Sequence, residues 1–68
     1  MSHILTEAER NRFATYCEAE AYSYDQLAVQ SEKLGAAFAP IVQLQRTQAA
    51  AYALVARHLR NTEALENE

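Results

Sequence analysis

The stretch Leu34-Gly35-Ala36-Ala37-Phe38-Ala39-Pro40 decides the fold, because helix-breaking residues interrupt an otherwise helical sequence there. It holds the only glycine and the only proline of the 68 residues. Glycine tolerates the left-handed conformation that commonly ends a helix, and the fixed φ of proline suits the first turn of the next one. Short connections make neighbouring helices antiparallel. We therefore predict an all-α, antiparallel two-helix hairpin with Phe38 over the turn; one continuous, kinked helix is the alternative.

The start of the first helix carries its own signal. Thr6-Glu7-Ala8-Glu9 matches a capping box, in which the Thr6 hydroxyl accepts from the Glu9 backbone and the Glu9 side chain returns the contact. Ala39 precedes proline and is therefore expected to lie outside the second helix. The predicted single domain, 1–68, consists of helix 1 at about 7–34, a turn at 35–39, helix 2 at about 40–62 and a frayed acidic tail at 63–68.

The size of the chain favours association. A domain of 68 residues buries only about 60% of the surface that its unfolded chain exposes, and two helices bury less. One cysteine, Cys17, cannot form an intrachain disulfide, and with His3 and His58 it does not supply a zinc site. We expect no metal and no cofactor, so self-association is the remaining means of stabilisation.

The net charge of −3 divides unevenly along the chain. Residues 6–34 are acidic, whereas residues 41–62 carry Arg46, Arg57 and Arg60 and no carboxylate. This asymmetry can be satisfied between the two arms, between subunits or by an outside partner. The three arginines lie on one side of helix 2 and are candidates for contacts with phosphate or with an acidic partner.

A helical period of about 100° per residue places most large apolar residues in one stripe on each helix. The stripe on helix 1 includes Cys17, which we expect to be buried, and has Tyr16 at its edge. Glu20 lies in the middle of this stripe, so it either meets an arginine or leaves the face partly wet. The predicted self-association core is Phe13, Tyr24, Leu27, Leu34, Phe38, Ile41, Leu44, Tyr52, Val55 and Leu59. A weaker apolar stripe predicts a second interface at Tyr22, Val29 and Leu54.

No motif in the sequence indicates catalysis or membrane insertion. Neither histidine lies near Cys17 in the sequence, and no Gly-rich or nucleophile-elbow turn is present. The Glu-x-x-His motif of di-iron bundles is absent. No apolar run approaches membrane-spanning length, and the N-terminus shows no signal-peptide pattern. We expect a non-enzymatic, cytoplasmic protein without membrane contact.

The segment Leu5-Thr6-Glu7-Ala8-Glu9-Arg10, followed by Tyr16-Cys17-Glu18-Ala19, resembles the start of the helical region in some small terminase subunits of tailed phages. In that family, helical hairpins assemble into rings that present viral DNA to the packaging motor. The resemblance implies an oligomer and contact with DNA.

The leading hypothesis is an oligomerising helical interaction or assembly module, most simply an antiparallel homodimer that forms a four-helix bundle. The second apolar stripe on each helix motivates it. One alternative is a phage or mobile-element protein linked to DNA packaging or nucleic-acid binding through the three arginines. Another is an acidic inhibitor that binds a basic surface of another protein with Glu18, Asp25 and Glu32, which face outward around Tyr22 and Val29.

Overall fold

The computed structural model of the chain describes residues 5–61, which form two long helices joined by a tight turn. Helix α1 spans Glu7–Glu32 and helix α2 spans Ala39–Arg60, with a short 3-10 turn at Ala36–Phe38 between them. No strand occurs within the described range. The predicted all-α hairpin is confirmed, and the continuous kinked helix is wrong. The predicted tail, 63–68, lies outside the described residues.

Local hydrogen bonds set the start of α1. The Thr6 hydroxyl accepts from the backbone N–H of Glu9 at 3.1 Å, and the Glu9 carboxylate accepts from the backbone N–H of Thr6 at 2.8 Å. This reciprocal pair is the capping box that the sequence predicts. Glu7 and Glu9 lie in the first turn, where carboxylates oppose the positive end of the helix dipole.

The break between the helices lies at Gly35, which adopts φ 115° and ψ 176°. This backbone region is essentially restricted to glycine. Helix α1 already ends at Glu32 rather than at the predicted residue 34. The expectation for Ala39 is wrong, because this residue is the first of α2, with φ −53° and ψ −41°. The chain turns before Ala39, and Pro40 follows in the first helical turn, where a missing N–H leaves no hydrogen bond unmade.

The two helices pack along a seam of mostly small residues. Buried residues recur every seven positions: Ala14, Ala21 and Ala28 on α1, and Val42, Ala49 and Ala56 on α2. Between them lie buried Cys17 and half-buried Tyr24, Ser31, Gln45, Tyr52 and Leu59. We call these residues the seam. A seven-residue repeat is the pattern of a coiled-coil pair, and small side chains let two helix axes approach closely.

The seam is rotated away from the packing face that the sequence predicts. Phe13, Leu27 and Leu34 were expected to form that face, yet all three are exposed in the hairpin. The burial of Cys17 is confirmed, and its side chain belongs to a cluster with Ala14 and Ala56. Two helices share only a narrow contact strip, so closely packed small residues occupy it and larger side chains are left at its edges.

Enlarging one seam residue tests this packing. Ala28 has no exposed surface, so Ala28→Leu should destabilise the hairpin by about 1–3 kcal/mol through overpacking. The matched control is Ala19→Leu, which adds the same side chain at an exposed position of α1 and should change stability by no more than about 0.5 kcal/mol. Urea unfolding followed by circular dichroism measures both. Equal effects of the two substitutions would contradict the seam.

The turn generates a separate prediction. A Cβ added at Gly35 would meet no atom within 4 Å, so the effect of Gly35→Ala is confined to its backbone. We expect a loss of about 1–3 kcal/mol, because alanine is strained at this φ and ψ. Ala37→Ser in the same turn is the control, since its φ is not positive. A urea midpoint for Gly35→Ala equal to that of the control would show that the turn tolerates alanine.

Candidate self-association surface

Ion pairs line one edge of the seam. The Arg60 guanidinium donates two hydrogen bonds to the Glu18 carboxylate, from Nε at 2.8 Å and from Nη2 at 2.9 Å. Nη2 also donates to the Thr15 hydroxyl at 3.0 Å. Nearer the turn, Arg46 Nη2 lies 3.1 Å from Glu32 Oε2. We call this side the ion-paired edge. Two carboxylates of the acidic arm and two arginines of the basic arm therefore neutralise each other within one chain.

The ion pair between Glu18 and Arg60 shifts the pKa values of both side chains. The hydrogen bond from Arg60 lowers the pKa of Glu18 below its ordinary value, and the same contact raises the pKa of Arg60. Both side chains remain largely in water, where an ion pair adds little net stability. Its main consequence is register, because it joins the middle of α1 to the last residue of α2.

Large apolar side chains line the opposite edge of the seam. In both ion pairs, each partner is the residue that directly follows a seam position. In an antiparallel pair of helices, the residues that directly precede seam positions therefore meet along the opposite edge. The residues at these preceding positions, and the residues one helical turn from them, are mainly apolar. The apolar face consists of Phe13, Tyr16, Leu27, Leu34, Ile41, Leu44 and Val55, each between 41% and 65% exposed.

Aromatic rings connect the apolar face to the seam at the end distant from the turn. Phe13 stacks on Tyr16 with ring centroids 6.2 Å apart, and Tyr16 meets Tyr52 edge-on at 6.4 Å. Tyr52 also stacks on Tyr24 at 5.8 Å. Its neighbour Tyr16, followed by burial, by Tyr24 and by Glu20, raises the pKa of Tyr52. The Tyr52 hydroxyl is therefore protonated and uncharged at neutral pH.

The predicted self-association residues fall into two groups in the hairpin. One group is half-buried in the seam and consists of Tyr24, Tyr52 and Leu59. The other group is exposed and consists of Phe13, Leu27, Leu34, Phe38, Ile41, Leu44 and Val55. The exposed group does not line the interior of the single hairpin, and as a self-association core it stays a prediction. Sequence reasoning missed Ala14, Ala21, Val42 and Ala49 as seam residues. The signal was present, since small residues recur every seven positions on both helices.

Other predicted contact residues lie elsewhere on the hairpin. Tyr22, Val29 and Leu54, the predicted second interface, are exposed. Of the three arginines, Arg46 and Arg60 pair with carboxylates, whereas Arg57 has no ion-pair partner within residues 5–61. The structure therefore does not gather the arginines into one unpaired basic cluster.

The described residues show no metal site or membrane span, and no related protein identifies the chain. Among the residues that the structure describes, no group of three or more histidine, cysteine or acidic side chains could hold a metal ion. Neither described helix combines the length and hydrophobicity that a membrane span requires. No family model, curated protein or solved structure matches the chain. The resemblance to small terminase subunits stays a prediction.

The ion-paired edge predicts a pH dependence of folding. Because the pKa of Glu18 is lower in the folded chain than its ordinary value of 4.5, the pair stabilises the fold above that value. This contribution is lost as the pH falls through the folded-state pKa. Glu18→Gln should therefore flatten the decline of the urea midpoint between neutral pH and about pH 3.

Asp25→Asn is the control, because it removes a carboxylate about two turns further along α1 and leaves the Arg60 contact intact. It should keep the wild-type decline. An identical pH dependence in Glu18→Gln and wild type would show that the Arg60 pair does not contribute to folding.

Proposed function

We propose that this protein is a non-enzymatic assembly module that self-associates through its apolar face. The simplest product is an antiparallel homodimer in which two hairpins form a four-helix bundle. The observation that carries the proposal is the unequal division of the hairpin, with charges paired along one edge and seven large apolar side chains exposed along the other. A contiguous exposed apolar surface is typical of an interaction site. The proposal includes a cytoplasmic location, where the free thiol of Cys17 stays reduced.

The interior of one hairpin gives a first reason to expect a second copy. Within residues 5–61, Cys17 is the largest side chain that is fully buried, and most of the other buried residues are alanines. Each buried methylene contributes about 0.8 kcal/mol, so an alanine seam supplies little of the hydrophobic stabilisation that a small domain needs. Covering the apolar face would bury the leucines, isoleucine and phenylalanine that the hairpin leaves in water.

The exposed area gives a second reason. Seven large apolar side chains of the described hairpin are each between 41% and 65% exposed. A two-fold dimer places this apolar face on both sides of the contact, so each copy covers the face of the other.

The charge distribution favours self-association over the alternatives. Arg46 and Arg60 would have to release Glu32 and Glu18 before they could grip phosphates, which weakens the case for nucleic acid. The same two carboxylates are needed by an acidic inhibitor, which would have to expose them to a basic partner. The apolar face requires no such rearrangement.

Two leucines of α2 provide a matched test of the interface. Leu44 lies on the apolar face and is 60% exposed, whereas Leu54 lies elsewhere on the same helix and is 55% exposed. Leu44→Gln should weaken dimerisation at least tenfold, because it places a polar amide in the apolar contact and costs about 1.4 kcal/mol or more. Leu54→Gln should leave the dimer unchanged. Sedimentation equilibrium at micromolar concentration measures both dissociation constants.

Two other results would contradict the proposal. A folded wild-type monomer at these concentrations, in mildly acidic as well as in neutral solution, would overturn self-association. A dimer that is weakened by Leu54→Gln and unaffected by Leu44→Gln would move the contact to the surface of Tyr22, Val29 and Leu54, and would overturn the role of the apolar face.

A further inference from the structure

One acidic side chain interrupts the apolar face. Glu20 lies seven residues after Phe13 and seven before Leu27, so it occupies the same row of α1 as these exposed apolar residues. Gln48 occupies the corresponding row of α2, between Ile41 and Val55. The face therefore has apolar side chains towards both of its ends and two polar side chains, Glu20 and Gln48, in its middle.

Among the residues that the structure describes, none places a compensating positive charge beside Glu20. From α1, Tyr16 and Tyr24 lie one turn to either side of it and Cys17 lies three residues before it; from α2, Tyr52 is close enough to sense its charge. Tyrosine and cysteine side chains are uncharged near neutral pH. Glu20 is already half-buried, and no hydrogen bond or ion pair engages its carboxylate within residues 5–61.

The basic groups on this side of the hairpin lie near the end opposite the turn. Arg10 precedes Glu20 by roughly 15 Å along α1, and its guanidinium donates to the Leu5 carbonyl oxygen at 3.0 Å. His58 lies two helical repeats beyond Leu44 on α2, in the same row of the face. Neither residue forms an ion pair with Glu20, so no basic side chain of the described residues compensates its carboxylate.

We infer that self-association of this chain is coupled to protonation of Glu20, so that the dimer is tighter in mildly acidic than in neutral solution. The inference rests on the proposed function, because a second copy must cover the apolar face. Covering the face removes water from the Glu20 carboxylate, and loss of water disfavours its charged form. A dimer also brings two copies of Glu20 into one interface, where two negative charges oppose each other.

Protonation relieves both costs. A neutral carboxylic acid carries a proton that it can donate to an uncharged acceptor such as the Gln48 amide oxygen, whereas a carboxylate can only accept. The dimer therefore binds protons more tightly than the monomer, and lowering the pH drives association. The affinity should rise by up to about tenfold per pH unit for each of the two carboxylates. At pH values where Glu20 is charged in the dimer as well, the affinity should level off at its weaker value.

Sedimentation equilibrium of the full chain at about pH 5.5 and about pH 7.5 tests this coupling. Wild type should dimerise at least tenfold more tightly at the lower pH. Glu20→Gln should remove most of this difference and dimerise at neutral pH about as tightly as wild type does in acid. Circular dichroism at both pH values verifies that each variant is folded.

Two controls separate Glu20 from other titrating groups. Asp25→Asn removes the same charge from the side of α1 that carries the ion-paired edge, and His58→Gln removes the histidine on the apolar side. Both variants should keep the pH dependence of wild type. A dependence that persists in Glu20→Gln, or one that disappears in His58→Gln, would overturn the role of Glu20.

The proposed function fails separately from this inference. A wild-type dimer of equal affinity at both pH values would overturn the coupling and leave self-association intact. If wild type and Glu20→Gln are both folded monomers at both pH values, self-association and the coupling are overturned together.

Discussion

Close approach of two helices along a seam of small side chains is the contact on which the rest of this hairpin depends. Ala14, Ala21 and Ala28 present little volume towards α2, and Ala49 and Ala56 present little in return. Backbones can therefore approach more closely than leucines would permit. The contact strip is narrow as a result, and it leaves most of the large apolar residues of both helices at its edges. Their exposure follows from the packing that builds the hairpin.

The two edges of the seam have different chemistry. Arg60 with Glu18 and Arg46 with Glu32 occupy the residues that follow seam positions, while mostly apolar side chains occupy those that precede them. Exposed ion pairs add little stability but disfavour registers that would place like charges together. The ion-paired edge thus favours one register of the helices. The apolar face is the surface whose burial against a partner would contribute the most free energy.

The same division explains why one glutamate matters for the proposed assembly. Glu18 and Glu32 satisfy their charge within the chain, whereas Glu20 has no basic partner within residues 5–61 and lies near aromatic rings. In a single hairpin, water still reaches this half-buried side chain. In an assembled bundle, the same carboxylate would have to be protonated or solvated. A polar group of this kind lowers affinity and makes association depend on conditions, while the surrounding apolar residues supply the driving force.

The sequence by itself determined the features that depend on neighbouring residues: the capping box of Thr6, the break at Gly35, two helices and therefore an all-α hairpin. Capping and backbone conformation act within one turn, so a local pattern is sufficient to predict them. Only the tertiary structure decided which stripe of each helix forms the seam. Hydrophobicity favours the stripe of Phe13 and Leu27, but close approach is a joint property of two surfaces. Long-range ion pairs likewise require a register that no local pattern specifies.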